Sequence, residues 1–137
     1  IDLNADGKKD LLMGKFNGQL YKFIRNDIGK EIRFILERRK YLDLDVGLGS
    51  VPVIVDINND QQEELIIGSD SGKVYSFSAD SKNQGSKAWI SSDEYFKELK
   101  FPVGGNPVFA DMDKDGDLDL IIGSEEGTLH YFRNEGQ

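Results

Sequence analysis

The chain has 137 residues, of which 31% are charged and 38% hydrophobic, a composition typical of one soluble globular domain; no apolar run approaches the ~20 residues of a membrane-spanning helix. Its 25 acidic and 17 basic residues give a net charge of −8, which argues against a nucleic-acid partner because affinity for phosphates depends on Lys and Arg. The absence of Cys excludes disulfides and thiolate sites, and the single His, His130, excludes most transition-metal sites.

Three segments of the chain align without gaps and form an internal repeat. They are Asp2–Gly14, Asp56–Gly68 and Asp111–Gly123, and their starts lie 54 and 55 residues apart. Each is followed by a Gly, an aliphatic residue and a Phe at constant spacing, in Gly18–Phe23, Gly72–Phe77 and Gly127–Phe132. Pro52 and Pro107 stand four residues before the second and third segments. We therefore expect three copies of one structural unit.

The pattern of each unit predicts β-structure. In chain order, strands are predicted at Leu20–Ile24, Ile32–Leu36, Val51–Val55, Leu65–Ile67, Val74–Phe77, Lys87–Ile90, Pro107–Ala110, Leu120–Ile122 and Leu129–Phe132, with one helical turn within Ser92–Lys100. Gly-bearing hairpin turns precede the third strand of each unit. The second strands, Leu65–Ile67 and Leu120–Ile122, are continuously apolar, which indicates burial on both faces.

Four antiparallel strands that recur every 54–55 residues are typical of β-propeller blades, whose stacked sheets are covered on both faces. We predict an all-β chain of two to three such blades from a larger propeller; a β-sandwich is the alternative. The predicted units of this single repeat region, 1–137, are 1–45, which lacks its first strand, 46–100, a complete blade, and 101–137, which lacks its last strand. Blades cut at both ends expose apolar faces, so we expect neighbouring blades or copies to cover them.

Each unit carries an acidic nine-residue loop before its second strand. Oxygen-bearing side chains fall at positions 1, 3, 5 and 9, and a Gly at position 6 in two loops permits a sharp turn that brings the position-7 carbonyl to the same centre. Oxygen-only ligands with several carboxylates favour Ca²⁺ over Zn²⁺ or copper. The predicted ligands are Asp2, Asn4, Asp6, the Lys8 carbonyl and Asp10; Asp56, Asn58, Asp60, the Gln62 carbonyl and Glu64; and Asp111, Asp113, Asp115, the Asp117 carbonyl and Asp119.

The second loop departs from this pattern at two positions. Gln61 replaces the Gly of the sharp bend, and Glu64 is one methylene longer than the Asp at position 9 elsewhere. We expect this loop to bind Ca²⁺ weakly, to hold a water-rich site or to bind no metal, so two calcium sites are predicted and the third stays open. Asp, Asn and Gly also favour plain turns, but five carboxylates within the third loop would repel one another without a cation.

The units resemble FG-GAP (VCBS-type) repeats, the calcium-bearing blades of the integrin α-subunit propeller and of many bacterial secreted proteins. The resemblance rests on Pro107–Gly123 followed by Gly127–Gly136, and it extends to all three units. It implies Ca²⁺ at positions 1, 3, 5, 7 and 9 of each loop, between the first two strands of a blade, with Gln61 and Glu64 as departures. It also implies an extracellular setting, where millimolar Ca²⁺ suits sites of modest affinity.

For catalysis, no nucleophile with a paired base stands out. His130 takes a position held by Tyr in the other units, which favours packing or an edge, and Trp89, Tyr95 and Phe96 favour blade core over a sugar-stacking platform. We expect a non-catalytic, secreted or cell-surface module for adhesion, ligand binding or extracellular assembly, with protein or glycan partners. The alternative is the propeller part of a secreted polysaccharide lyase or hydrolase, or a lectin, whose active residues lie outside this segment.

Overall fold

The structure is a computed structural model that describes residues 1–80, 88–92, 96, 99, 101 and 103–136. Its elements in chain order are β1 (Leu11–Gly14), β2 (Leu20–Arg25), β3 (Phe34–Arg38), a 3-10 turn (Tyr41–Asp43), β4 (Val51–Val55), β5 (Glu64–Gly68), β6 (Val74–Ala79), β7 (Trp89–Ser91), β8 (Asn106–Ala110), β9 (Asp119–Gly123) and β10 (Leu129–Phe132). All the pairings between these strands are antiparallel.

The strands form three separate sheets, one in each repeat. The first has the order β1-β2-β3, the second β4-β5-β6-β7 and the third β8-β9-β10. β4 lies beside both β1 and β8, so the second sheet stands between the other two. The predicted all-β fold class, with small antiparallel sheets stacked as propeller blades, is thus confirmed.

The second sheet supplies core to both of its neighbours through β5. Leu65 and Ile67 belong to the cluster shared with the first sheet, which contains Leu20, whereas Ile66 belongs to the cluster shared with the third sheet, which contains Ile122. All five of these side chains are fully buried, at 0% exposure. Successive side chains of a strand point to opposite faces, so the apolar run of β5 follows from burial on both sides. This confirms the prediction for Leu65–Ile67, whereas in Leu120–Ile122 the side chain of Ile121 is only half-buried.

Two predicted strands begin two residues later in the structure, while most of the others differ by only one or two residues at an end. The strand predicted at Ile32–Leu36 is observed at Phe34–Arg38. A bridge between Ile28 and Glu31, with the Asn26 N–H donating to the Arg33 carbonyl at 2.8 Å, keeps Ile32 inside the hairpin turn. The strand predicted at Lys87–Ile90 is observed at Trp89–Ser91. Lys87, Tyr95 and most of the helical turn predicted within Ser92–Lys100 lie outside the described residues.

A glycine at the end of each second strand marks the joint between consecutive sheets. A Cβ atom on Gly14 would overlap the Ser50 carbonyl oxygen and crowd Pro52, just before and within β4. A Cβ atom on Gly68 would likewise overlap the carbonyl of Gly105 and Pro107. The backbones therefore approach too closely for any side chain, which explains why the sequence keeps Gly at this repeat position.

Candidate metal centre

The three acidic loops share one backbone conformation, which the carboxylate at position 1 organises. In the first loop, Asp2 accepts the N–H groups of Asp6 at 3.2 Å and Gly7 at 2.8 Å. In the second, Asp56 accepts those of Asp60 at 3.1 Å and Gln61 at 2.9 Å. In the third, Asp111 accepts those of Lys114 at 2.6 Å and Gly116 at 3.2 Å. Each loop thus wraps its backbone around its first carboxylate.

Two residues of each loop adopt left-handed backbone conformations. At position 4, φ is 59° for Ala5, 58° for Asn59 and 67° for Lys114. At position 6, Gly7 and Gly116 have φ of 81° and 98°, and Gln61 follows the same course with φ of 69°. Gln61 therefore keeps the sharp bend, at a cost of roughly 1 kcal/mol or more for a non-Gly residue in this region. The second loop is strained there, but its path is the same.

The carboxylate at position 9 is buried and anchors the loop to its own sheet. Asp119, fully buried, accepts the N–H groups of Met112 at 3.0 Å and Asn134 at 2.9 Å and the Tyr131 hydroxyl at 3.0 Å. The N–H of Asn134 holds the pKa of Asp119 below its ordinary value, with help from Met112 and Tyr131. Asp119 is therefore a charged acceptor that fixes both ends of the loop.

The other two loops repeat this anchor with one difference. Asp10 accepts the N–H groups of Leu3 at 2.8 Å and Arg25 at 2.9 Å, matching Asp119. Glu64 accepts the N–H of Ile57 at 3.0 Å, but burial raises its pKa above the ordinary value, and the nearby Asp60 and Asp56 act in the same direction. The charged form of the buried carboxylate is therefore less stable in the second loop, at Glu64, than in the third loop, at Asp119. Sequence spacing predicted position 9 as a ligand and did not reveal this anchoring role.

Three side chains of the third loop converge on one point. Asp111, Asp113 and Asp115 each bring one carboxylate oxygen within 4.8 Å of the others, and all three are exposed. This convergent set of hard oxygen donors fits a Ca²⁺ ion, which binds carboxylates and carbonyls in flexible geometry. Asp117, at position 7, turns its carboxylate away to accept the Asn59 side-chain amide at 2.7 Å. Its predicted role through the backbone carbonyl does not involve that side chain.

The corresponding residues of the other loops lie in the same relative places. In the first loop the Asn4 side chain contacts Asp6 at 3.1 Å, while the Lys8 ammonium points to Asp27 at 3.7 Å and leaves only its backbone in the loop. In the second loop the N–H of Asp60 binds the Asn58 side-chain oxygen at 3.0 Å, and the N–H of Gln62 binds the Asp60 carboxylate at 2.7 Å. The structure thus gathers the side chains at positions 1, 3 and 5 in the third loop, and in all three loops the position-9 carboxylate is the buried anchor.

Sequence reasoning missed two residues that follow β10. The Arg133 guanidinium lies against the third loop, with Nε 2.6 Å from Asp113 Oδ2 and Nη2 3.3 Å from Asp115 Oδ2. The side-chain amide of Asn134 donates to the Ile57 carbonyl of the second loop at 3.3 Å, while its backbone anchors Asp119. Arg133 stands at the same distance from the hairpin Gly as Ile24 and Ser78 in the other units, so the repeat pattern gave no signal.

Small antiparallel sheets stacked face to face, each with an acidic loop that leads into a strand, define a β-propeller-like repeat protein. Residues 56–122 match the model of the FG-GAP-like repeat family, so this part of the chain is similar to FG-GAP repeats, which is consistent with the resemblance stated from the sequence. No curated protein matches the chain. Among the described residues, the structure holds no helix with the length and apolarity needed to cross a bilayer.

Proposed function

We propose that this chain is a non-catalytic, Ca²⁺-stabilised β-propeller module of an extracellular protein that serves adhesion, ligand binding or extracellular assembly. Two observations carry the calcium part of the proposal: the three loops share a backbone path around the position-1 carboxylate, and in the third loop the side chains at positions 1, 3 and 5 converge on one point. The family supports a propeller-like repeat module, and domains of these repeats are generally non-catalytic. Their usual extracellular occurrence supports the proposed location.

The proposed role of the metal is structural. Positions 1, 3 and 5 and the position-7 carbonyl would hold the ion; in the third loop these are Asp111, Asp113, Asp115 and Asp117. A bound Ca²⁺ supplies positive charge where carboxylates otherwise repel. The protein's own part is to hold those carboxylates together, through the backbone bonds to Asp111 and the buried Asp119 anchor. A cation that binds only the folded loop adds its binding free energy to the stability of the fold.

Calorimetric titration of calcium-stripped protein tests this proposal. We expect two sites, assigned to the first and third loops, with the second loop weaker because of Gln61 and Glu64, and a higher melting temperature in Ca²⁺ than in chelator. Mg²⁺ at equal concentration is the matched control, because its preference for water makes it a poorer fit to such loops. No heat of binding together with an unchanged melting temperature would refute the calcium role.

We also propose that a further blade covers the third sheet. Gly14 and Gly68 are in contact with the next sheet, whereas a Cβ on Gly123, the equivalent residue, would meet only Leu129 Cδ2, at 3.9 Å. Leu129 and Val108 on this sheet are 79% and 57% exposed. In this chain, Gly123→Ala should be neutral in thermal unfolding and Gly68→Ala strongly destabilising. In a longer chain that includes the next blade, Gly123→Ala should become as costly as Gly68→Ala; if it stays neutral there, this part of the proposal fails.

The propeller of a secreted polysaccharide lyase or hydrolase, or a lectin, is the alternative function. His130 lies exposed on the edge strand β10 with its Nε2 3.2 Å from the Thr128 hydroxyl, which fits an edge position. Trp89 packs against the core that contains Leu65, and Phe96 lies buried in the core that contains Ile66, so neither forms an open sugar platform. A glycan array with this chain separates a lectin from a scaffold, and the full open reading frame shows whether a catalytic domain is joined to it.

A further inference from the structure

The Arg133 side chain lies where a metal ion would be needed in the third loop. Its guanidinium spans two of the three converging carboxylates, reaching Asp113 Oδ2 at 2.6 Å and Asp115 Oδ2 at 3.3 Å. A guanidinium donates hydrogen bonds and accepts none, and it carries a fixed positive charge. It therefore competes directly with any cation for the same oxygens.

The backbone of Arg133 is held in place, whereas its side chain can move. The neighbouring N–H of Asn134 is fixed on the buried Asp119 at 2.9 Å, and Phe132 belongs to β10. The Arg133 side chain itself is 53% exposed. The guanidinium can therefore swing into water without any change in the strand or the anchor.

The first two units have no cation at this position. Counted from the hairpin glycines Gly18, Gly72 and Gly127, the residue in register with Arg133 is Ile24 in the first unit and Ser78 in the second. In the first unit the basic side chains of Lys8 and Arg25 bind Asp27, outside the acidic loop. Among the described residues, the ion pairs that a basic side chain forms with the carboxylates at positions 3 and 5 of an acidic loop are those of Arg133 with the third loop, the loop with the most carboxylates.

We propose that Arg133 acts as an internal counter-cation that stabilises the third loop without metal and lowers its affinity for Ca²⁺. This inference rests on the proposed calcium role of the loops. Asp113 and Asp115 cannot give the same oxygens to both partners, and the Arg133 guanidinium and Ca²⁺ repel each other at contact distance. Calcium binding then requires release of Arg133, so this one side chain sets the calcium concentration at which the third loop fills.

The test uses the whole chain and reads each loop separately by NMR. The amide of Gly116 reports on the third loop and that of Gly7 on the first, in the same calcium titration. The variant is Arg133→Gln, which removes the charge and keeps a polar but shorter side chain. Arg33→Gln is the matched control, because Arg33 is similarly exposed, at 51%, and pairs with Glu31 away from the acidic loops.

We expect Arg133→Gln to tighten calcium binding at Gly116 about three- to tenfold, since an exposed ion pair and a repelling charge are removed together. Binding at Gly7 should be unchanged, and Arg33→Gln should change neither reporter. Without metal, Arg133→Gln should lower the melting temperature slightly; in saturating Ca²⁺ it should equal or exceed the wild type. This reversal of sign distinguishes competition from a plain structural role.

Two other outcomes separate the two proposals. If Gly116 and Gly7 both titrate in the wild type but Gly116 shows the same affinity in Arg133→Gln, the inference about Arg133 is wrong and the calcium role stands. If neither amide responds to Ca²⁺ in any variant, the calcium role fails, and the inference fails with it.

Discussion

The second and third acidic loops follow the same backbone path with different side chains. The third has Gly116 at the sharp bend and Asp119 as a buried anchor with three donors, whereas the second has Gln61 in a left-handed conformation and Glu64 with a raised pKa. The path is therefore set by the position-1 carboxylate, which both loops share. Different residues therefore determine the backbone path of a loop and its need for a bound cation.

The largest expected effect concerns the position-9 anchor. Asp119→Ala leaves the N–H groups of Met112 and Asn134 and the Tyr131 hydroxyl without their acceptor, at a cost of about 2–4 kcal/mol in the free energy of unfolding. Urea unfolding in calcium-free buffer measures this loss. Glu31→Ala, at an exposed ion pair, is the control and should stay within about 0.5 kcal/mol. A loss at Asp119 as small as the control would show that the anchor does not hold the loop.

A second pair of variants separates loop shape from metal binding. Asp56→Ala and Asp111→Ala each remove two backbone hydrogen bonds within the loop, so in chelator they should destabilise the protein by similar amounts. In Ca²⁺ at about 100 times the dissociation constant, the third loop gains roughly 2.7 kcal/mol from the ion, and Asp111→Ala should lose that gain as well. Thermal unfolding of both variants with and without Ca²⁺ measures it. Equal losses in Ca²⁺ would mean that the two loops do not differ in their use of metal.

The smallest expected effect lies at the sharp bend. Gln61→Gly should stabilise the protein by up to about 1 kcal/mol, because Gly adopts the left-handed conformation without strain, although it also gains freedom in the unfolded chain. The reverse exchange, Gly116→Gln, should cost about the same amount or more. Denaturant unfolding of both variants in chelator is the measurement. If Gln61→Gly destabilises the protein, the Gln61 side chain makes a contact that outweighs its backbone strain.

The repeat allowed most of the fold and the positions of the loops to be predicted. A gapless alignment fixes which residues pair in the hairpins, and the apolar run of β5 shows its double burial. The local turn that moved β3 to Phe34–Arg38 depends on a bridge between Ile28 and Glu31, which strand propensity does not reveal. Strand ends are decided by such hydrogen bonds more than by composition.

The candidate site could be predicted only in part. Sequence spacing indicates which residues occupy the loop positions, but it does not show which residues from other parts of the chain contact the loop. The residues at positions 1, 3 and 5 follow from the spacing. Arg133 reaches the third loop across the sheet, and neither of its counterparts, Ile24 and Ser78, is basic. The anchoring of Asp119 needs the N–H of Asn134, 15 residues away, and every residue but Pro carries such a donor, so nothing in the sequence marks this one.

The glycine joint between sheets has a consequence for how such chains change length. Gly14 meets Ser50 after 36 residues, and Gly68 meets Gly105 after 37, which accounts for the repeat lengths of 54 and 55. The extra residue lies in the segment between Gly68 and Gly105. The glycine and the residue that it contacts keep the same positions in their own repeats. Duplication, loss or exchange of whole repeats therefore keeps the backbone joint intact wherever a glycine ends one second strand and a Pro-led strand follows, provided that the facing apolar side chains also fit. The joint thus gives successive repeats the same backbone connection whatever the length of the segment between them.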